Sequence, residues 1–120
     1  MLRVELDSNQ SVFRPGSILS GRIFWEMSQA PDTVTATLTW STEGKGDDDG
    51  DIAVEQSWQP QSESGSQAFR WQLPRGPLSL DAKLIRIRWA IECSTEKPSE
   101  DVTVPIVLSH LDRPIILKAI

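Results

Sequence analysis

Four groups of residues in this chain have types that could do chemistry. Residues 42–51 hold five carboxylates and three glycines, and Asp47, Asp49 and Asp51 fall in its densest part. Calcium takes six to eight oxygen ligands, so such a cluster is a candidate site. The spacing does not match an EF-hand loop, which needs alternating acidic positions, a distal glutamate and flanking helices, and a solvated loop explains the composition as well. His110 with Asp112 and Ser109 could be written as a triad, but no G-x-S-x-G is present to present a nucleophile. Cys93 is in phase with Trp89 and Ile91, which reads as a buried, inert thiol, and one histidine with one cysteine makes a poor metal site. Arg22, Arg70, Arg86 and Arg88 all fall on the polar phase of alternating segments, where they could form a basic stripe that anchors a partner. The expectation is a protein without catalytic residues, cofactor or resident metal, with the four arginines as candidate partner-binding residues.

Composition narrows the function classes. A chain of 120 residues with 38% hydrophobic content suits one domain, residues 1–120. Its net charge of −5, from 12 basic and 17 acidic residues, argues against nucleic acid, because phosphate binding needs a dense basic surface. A single cysteine excludes an internal disulfide and suits a reducing compartment. The N-terminus alternates instead of carrying an apolar run behind positive charge, so it does not read as a signal peptide, and no run reaches membrane-spanning length. A cytoplasmic protein is expected.

The elements that must position these residues read as strands. Leu2, Val4 and Leu6 alternate with polar neighbours. Pro15-Gly16 fits the centre of a type II turn, since proline fixes φ near −65° and glycine accepts positive φ. A strand follows over 18–25, with Leu19, Gly21, Ile23 and Trp25 on one side, and Gly21 marks a bulge or a close backbone approach. In residues 33–41, Val34, Ala36, Leu38 and Trp40 oppose a row of hydroxyls. Ile52, Val54, Gln56 and Trp58 share one side of the next strand, and Phe69, Trp71 and Leu73 mark another. A long strand is expected over 83–93, with Ile85, Ile87, Trp89, Ile91 and Cys93 inward, and then a polar loop over 94–100. Val102, Val104, Ile106 and Leu108 give a seventh strand. Pro105 on its outer phase places it at or near a sheet edge. Residues 114–120 form an eighth strand or a flap; the tail either caps that edge or is free to mediate self-association. With no 3.6 period, the pattern gives an all-β antiparallel sandwich of seven to eight strands, with a closed barrel as the alternative. The five tryptophans largely follow the inward phase, so core packing is expected of them and an exposed sugar-binding platform is the alternative.

Two segments, FRPGSILSGRI and LPRGPLSLDAKLIRIRWAIE, resemble the arrestin-like superfamily of arrestin N-terminal-type domains, Vps26-like subunits and bacterial sporulation-control proteins. The resemblance rests on Phe13, Pro15, Gly16 and Gly21, then Leu73, Pro74, Pro77, Ser79 and the strand through Trp89. Residues 38–44 fit between them, and Ala82 departs from the glycine often found at its position. It implies an immunoglobulin-like sandwich serving as a protein-interaction or adaptor module, with an unidentified protein partner. The phosphate-sensing basic residues and polar core of full arrestins are not placed on any residues of this sequence, so receptor binding is not carried over. The alternative is a ligand-binding sandwich, for calcium through 47–51 or carbohydrate through exposed aromatics.

Overall fold

The computed structural model describes residues 1–44, 49–82, 85–111 and the backbone of 115–117. These residues contain ten strands and no helix: β1 (Leu2–Leu6), β2 (Val12–Phe13), β3 (Ile18–Glu26), β4 (Thr33–Gly44), β5 (Gly50–Trp58), β6 (Ser64–Gln72), β7 (Leu80–Ala82), β8 (Ile85–Glu96), β9 (Glu100–Leu108) and β10 (Ile115–Leu117). A small sheet has the order β1-β3-β6. The large sheet runs β10-β7-β8-β4-β5, with β9 paired to β8 and to β2. The long pairings are antiparallel, while the short pairs β2/β9 and β7/β10 are parallel.

Strand alternation builds the sandwich directly. Leu19, Ile23, Trp25, Phe69 and Trp71 from the small sheet meet Val34, Ala36, Leu38, Trp89, Ile91 and Ile106 from the large one in a single core. Gly21 lies where the sheets leave no room for a side chain. A Cβ there would overlap the Glu5 carbonyl oxygen and come within 2.9 Å of Phe69 Cζ.

The two resembling motifs are bonded to each other. Ser17 N–H donates to Arg14 O at 3.1 Å and Gly16 has φ of 78°, which are the closing bond and third-residue geometry of a type II turn. Gly16 N–H donates to Leu73 O at 3.1 Å and Leu73 N–H to Ser17 O at 2.8 Å, so the turn is docked on the end of β6. Beyond it, Pro77 O accepts from Trp89 Nε1 at 2.6 Å. Ser79 Oγ accepts the Leu108 amide at 2.9 Å while Ser79 N–H donates to Leu108 O at 2.8 Å.

Several expectations need correction. The strand expected over 83–93 is β8, which begins at Ile85 and continues to Glu96 through the first three residues of the anticipated loop, with β7 preceding it; residues 83 and 84 lie outside the described set. Ile85, expected inward, is 43% exposed, because it stands at the end of β8 beyond the cover of the small sheet. Trp40 is only half-buried, packed against the margin of the core. Ile52 is on the opposite side from its expected one. The register of β4 and β5 shifts between Leu38, which pairs with Val54, and Thr39, which pairs with Ile52, so Ala53 is an extra residue in a β-bulge. That insertion turns Ile52 to the hydroxyl face, where it is 51% exposed. The described part of the C-terminal segment, β10, runs parallel to β7 and not beside β9.

Gly21→Val should destabilise by about 2–4 kcal/mol, because a backbone oxygen cannot yield as a flexible side chain can. A denaturation midpoint unchanged from the parent would contradict the close approach. Ser79→Ala should cost about 1–3 kcal/mol by leaving the buried Leu108 amide without an acceptor, and Ser79→Thr should recover part of the loss in the same urea titration.

Candidate interaction surfaces

Among the described residues, those with catalytic potential do not converge. Ser109 is 0% exposed and its hydroxyl oxygen accepts the Leu111 amide at 3.0 Å, so it is not presented as a nucleophile. His110 is exposed, and Asp112 lies outside the described residues. Cys93 is buried in the core, where desolvation pushes its thiol up from 9.0 to about 11. A low thiolate fraction at neutral pH follows, the reverse of an activated cysteine.

In the acidic loop, Asp47 lies outside the described residues. Asp49 and Asp51 turn their carboxylates to local backbone: Asp49 Oδ1 accepts the Gly50 amide and Asp51 Oδ1 the Ile52 amide, each at 2.8 Å. Thr42 and Asp49 close this end of the β4-β5 hairpin, with Thr42 N–H donating to Asp49 O at 2.7 Å. Among the described residues no group of three or more His, Cys, Asp or Glu side chains is placed to hold a metal ion. No tryptophan is exposed. Trp25, Trp71 and Trp89 are buried, with indole donors satisfied by Ser62 O, Gln56 Oε1 and Pro77 O, and Trp40 and Trp58 pack against the core.

The four arginines occupy two surfaces instead of one stripe. Arg22 and Arg70 are exposed on the outer face of the small sheet, where Arg22 is paired in register with Ala68 and Arg70 with Ser20, so they are diagonal neighbours across β3 and β6. With Ser20, Ala68 and Asp7 they border a shallow concavity of about 370 Å³. Arg22 Nη1 donates to Ser66 Oγ at 3.0 Å. Among the described residues, neither arginine has a carboxylate at salt-bridge distance. Arg86 and Arg88 are on the outer face of the large sheet and do have such partners, Asp81 at 3.1 Å and Glu43 at 3.6 Å. Sequence phase correctly gives all four an outward direction. It cannot say to which sheet each strand belongs.

The edge of β9 is open beside Pro105 among the described residues. Val107 N–H points away from β8, donating to Ser11 O at 2.8 Å. Alternate residues of a strand aim their backbone groups to the same side, so the donor missing at Pro105 faces that open edge. An incoming strand would find a gap in the ladder there, which makes this edge a poorer template than its length suggests.

Cys93 also sets a pH dependence. Its pKa is higher in the folded chain, so folding is favoured in full below pH 9 and that contribution is lost as pH rises from 9 towards 11. Two pH units correspond to about 2–3 kcal/mol at most. Wild type should therefore lose more stability between pH 8.5 and pH 10.5 than Cys93→Val, measured by urea denaturation; equal losses would refute the burial effect.

A scan against protein-family models finds no match, and a search of curated protein sequences finds none either. Among solved structures the chain is similar to Spo0M, a sporulation control protein from Bacillus subtilis, with a TM-score of 0.64 over 92% of this chain at 14% sequence identity. The chain covers 49% of the length of that protein. No helix among the described residues is long and apolar enough to cross a membrane. Two sheets closed over one core, a Pro-Gly turn docked on the end of β6 and this structural likeness together show that the chain has the arrestin-like β-sandwich fold.

Proposed function

We propose that the chain is a non-enzymatic protein-interaction module, an adaptor or scaffold of arrestin-like type acting as a single sandwich in the cytoplasm. Its partner is a protein that brings carboxylates to the outer face of the small sheet. The observation that carries this reading is the pair Arg22 and Arg70, exposed on two rigid strands and without a carboxylate partner among the described residues. A guanidinium held on a sheet offers a fixed fork of donors to a carboxylate, and little ordering entropy remains to be lost on binding. The structural neighbour is titled a control protein, which supports a regulatory role over a metabolic one.

The test is capture of partners from a lysate of the source organism by wild type and by the Arg22→Glu/Arg70→Glu variant. A protein captured by wild type should be lost by the double variant, with affinity lowered roughly 30-fold or more. The variant should stay folded and melt only slightly lower, because both side chains are exposed and the main cost is the carboxylate that Arg22→Glu sets opposite Glu5. Equal capture by the two proteins would overturn the role of this face.

A further inference from the structure

The outer face of the large sheet separates charge along one strand, β8. Along β8 the outward residues run Arg86, Arg88, Ala90, Glu92 and Ser94, two cations and a carboxylate on either side of a small central residue. The register extends the acidic side of this division across the sheet, while Glu43 and Asp81 stand opposite Arg86 in the other half. Glu92 is opposite Thr37 on β4 and Thr103 on β9, and Ser94 is opposite Asp101, so carboxylates and hydroxyls fill one half. Glu55, opposite Thr37 from β5, adds to it. This half forms a groove of about 530 Å³ bordered by Thr35, Thr37, Thr39, Ile52, Glu92 and Thr103. Among the described residues no lysine or arginine pairs with Glu55, Glu92 or Asp101.

Between the halves runs a nearly uncharged row. Thr39 pairs with Ile52 on one side and Ala90 on the other, and Ala90 pairs with Pro105. The bulge at Ala53 is what places Ile52 in this row with half of its surface in water.

We infer that this face is where a second copy of the chain docks, with a twofold axis lying along the row Ile52, Thr39, Ala90 and Pro105, so that Arg88 of each copy meets Glu92 of the other. The charges along β8 select the axis, although the same rotation brings Asp101 of one copy towards Asp81 of the other at the margin of the contact. A twofold perpendicular to the strands turns residues 88 and 92 into facing partners and lays each apolar residue on its own copy. A twofold along the strands would stack Glu92 on Glu92 and Arg88 on Arg88, which like charges oppose. Ala90 and Thr39 are small enough to let the sheets approach. The ion pairs Arg88 with Glu43 and Arg86 with Asp81 do not block the arrangement, because all four side chains are more than half exposed and such pairs are weak and exchangeable.

Four strands about 4.8 Å apart over about ten residues of about 3.3 Å present roughly 600 Å² per copy, near the lower bound of stable interfaces. A dissociable dimer that weakens as salt rises therefore follows. It uses residues other than Arg22 and Arg70, so the two proposals can fail separately.

Sedimentation equilibrium of wild type, Arg88→Glu and Glu92→Arg, in 20 mM and 500 mM NaCl, tests it. Wild type should dimerise at low salt. Each variant alone should dimerise roughly tenfold or more weakly, because the symmetry repeats the like-charge contact twice. An equimolar mixture of the two variants should recover the dimer. In the mixed pair one contact is the native one, and in the other the arginine introduced at position 92 faces the glutamate introduced at position 88, so both are attractive. Recovery also excludes misfolding of either variant. Ile52→Lys should weaken the dimer in every background. A monomeric wild type at low salt, or a dimer indifferent to Arg88→Glu and Glu92→Arg, would overturn the inference, the latter by placing association at an edge strand or the C-terminal segment.

Discussion

A buried indole N–H must be given an acceptor, and the way Trp89 obtains one organises one end of this molecule. Trp89 is 1% exposed at the centre of β8, and its ring contributes heavily to the apolar contact between sheets. The nitrogen cannot be left unpaired without losing much of what the ring gains. No strand of the core supplies the oxygen; Pro77 does, from the connection between β6 and β7. That connection is thereby drawn over the end of the sandwich. Ser79, two residues on, is then brought to the backbone of Leu108, where it satisfies the amide and carbonyl of a residue at the end of β9.

The same connection begins where the Pro-Gly turn is docked. Leu73 holds both Gly16 and Ser17, so the turn ahead of β3 and the proline-rich segment after β6 are fastened at one point. This explains why two short motifs, far apart in the chain, occur together: each supplies backbone partners or a path for the other. The fold follows from the apolar interface, but its end is closed by a few hydrogen bonds between irregular segments.

Alternation made the strands and their inward faces legible, since a period of two in Val34 to Leu38 or Phe69 to Leu73 admits few other readings. The Pro15-Gly16 turn was legible too, because only glycine accepts the φ required. What alternation could not carry was any change of phase. One inserted residue at Ala53 reverses the phase across it, which is why Ile52 reads inward in the sequence and outward in the fold. Nor does phase contain the order of strands. Arg22 and Arg70 come together because β3 pairs with β6, while Arg86 and Arg88 belong to the other sheet, and both pairings are long-range facts. The tail was ambiguous for a related reason: an apolar segment states that it needs cover but not which strand provides it.

A chain whose described residues are 67% strand must avoid recruiting further copies of itself into fibrils. Long flat edges with regular rows of donors and acceptors are what fibril growth uses. The bulge at Ala53 interrupts that row on β5, an outer strand of the large sheet, and bends the strand locally. Asp51 and Glu55 on either side of it add charge that an incoming copy would have to desolvate. Straightening the strand by removing Ala53 would thus do more than move Ile52. It would leave a regular template only one residue shorter than the present 9, and the cost would be read in shelf life, as turbidity and thioflavin-positive material, before it was read in melting temperature.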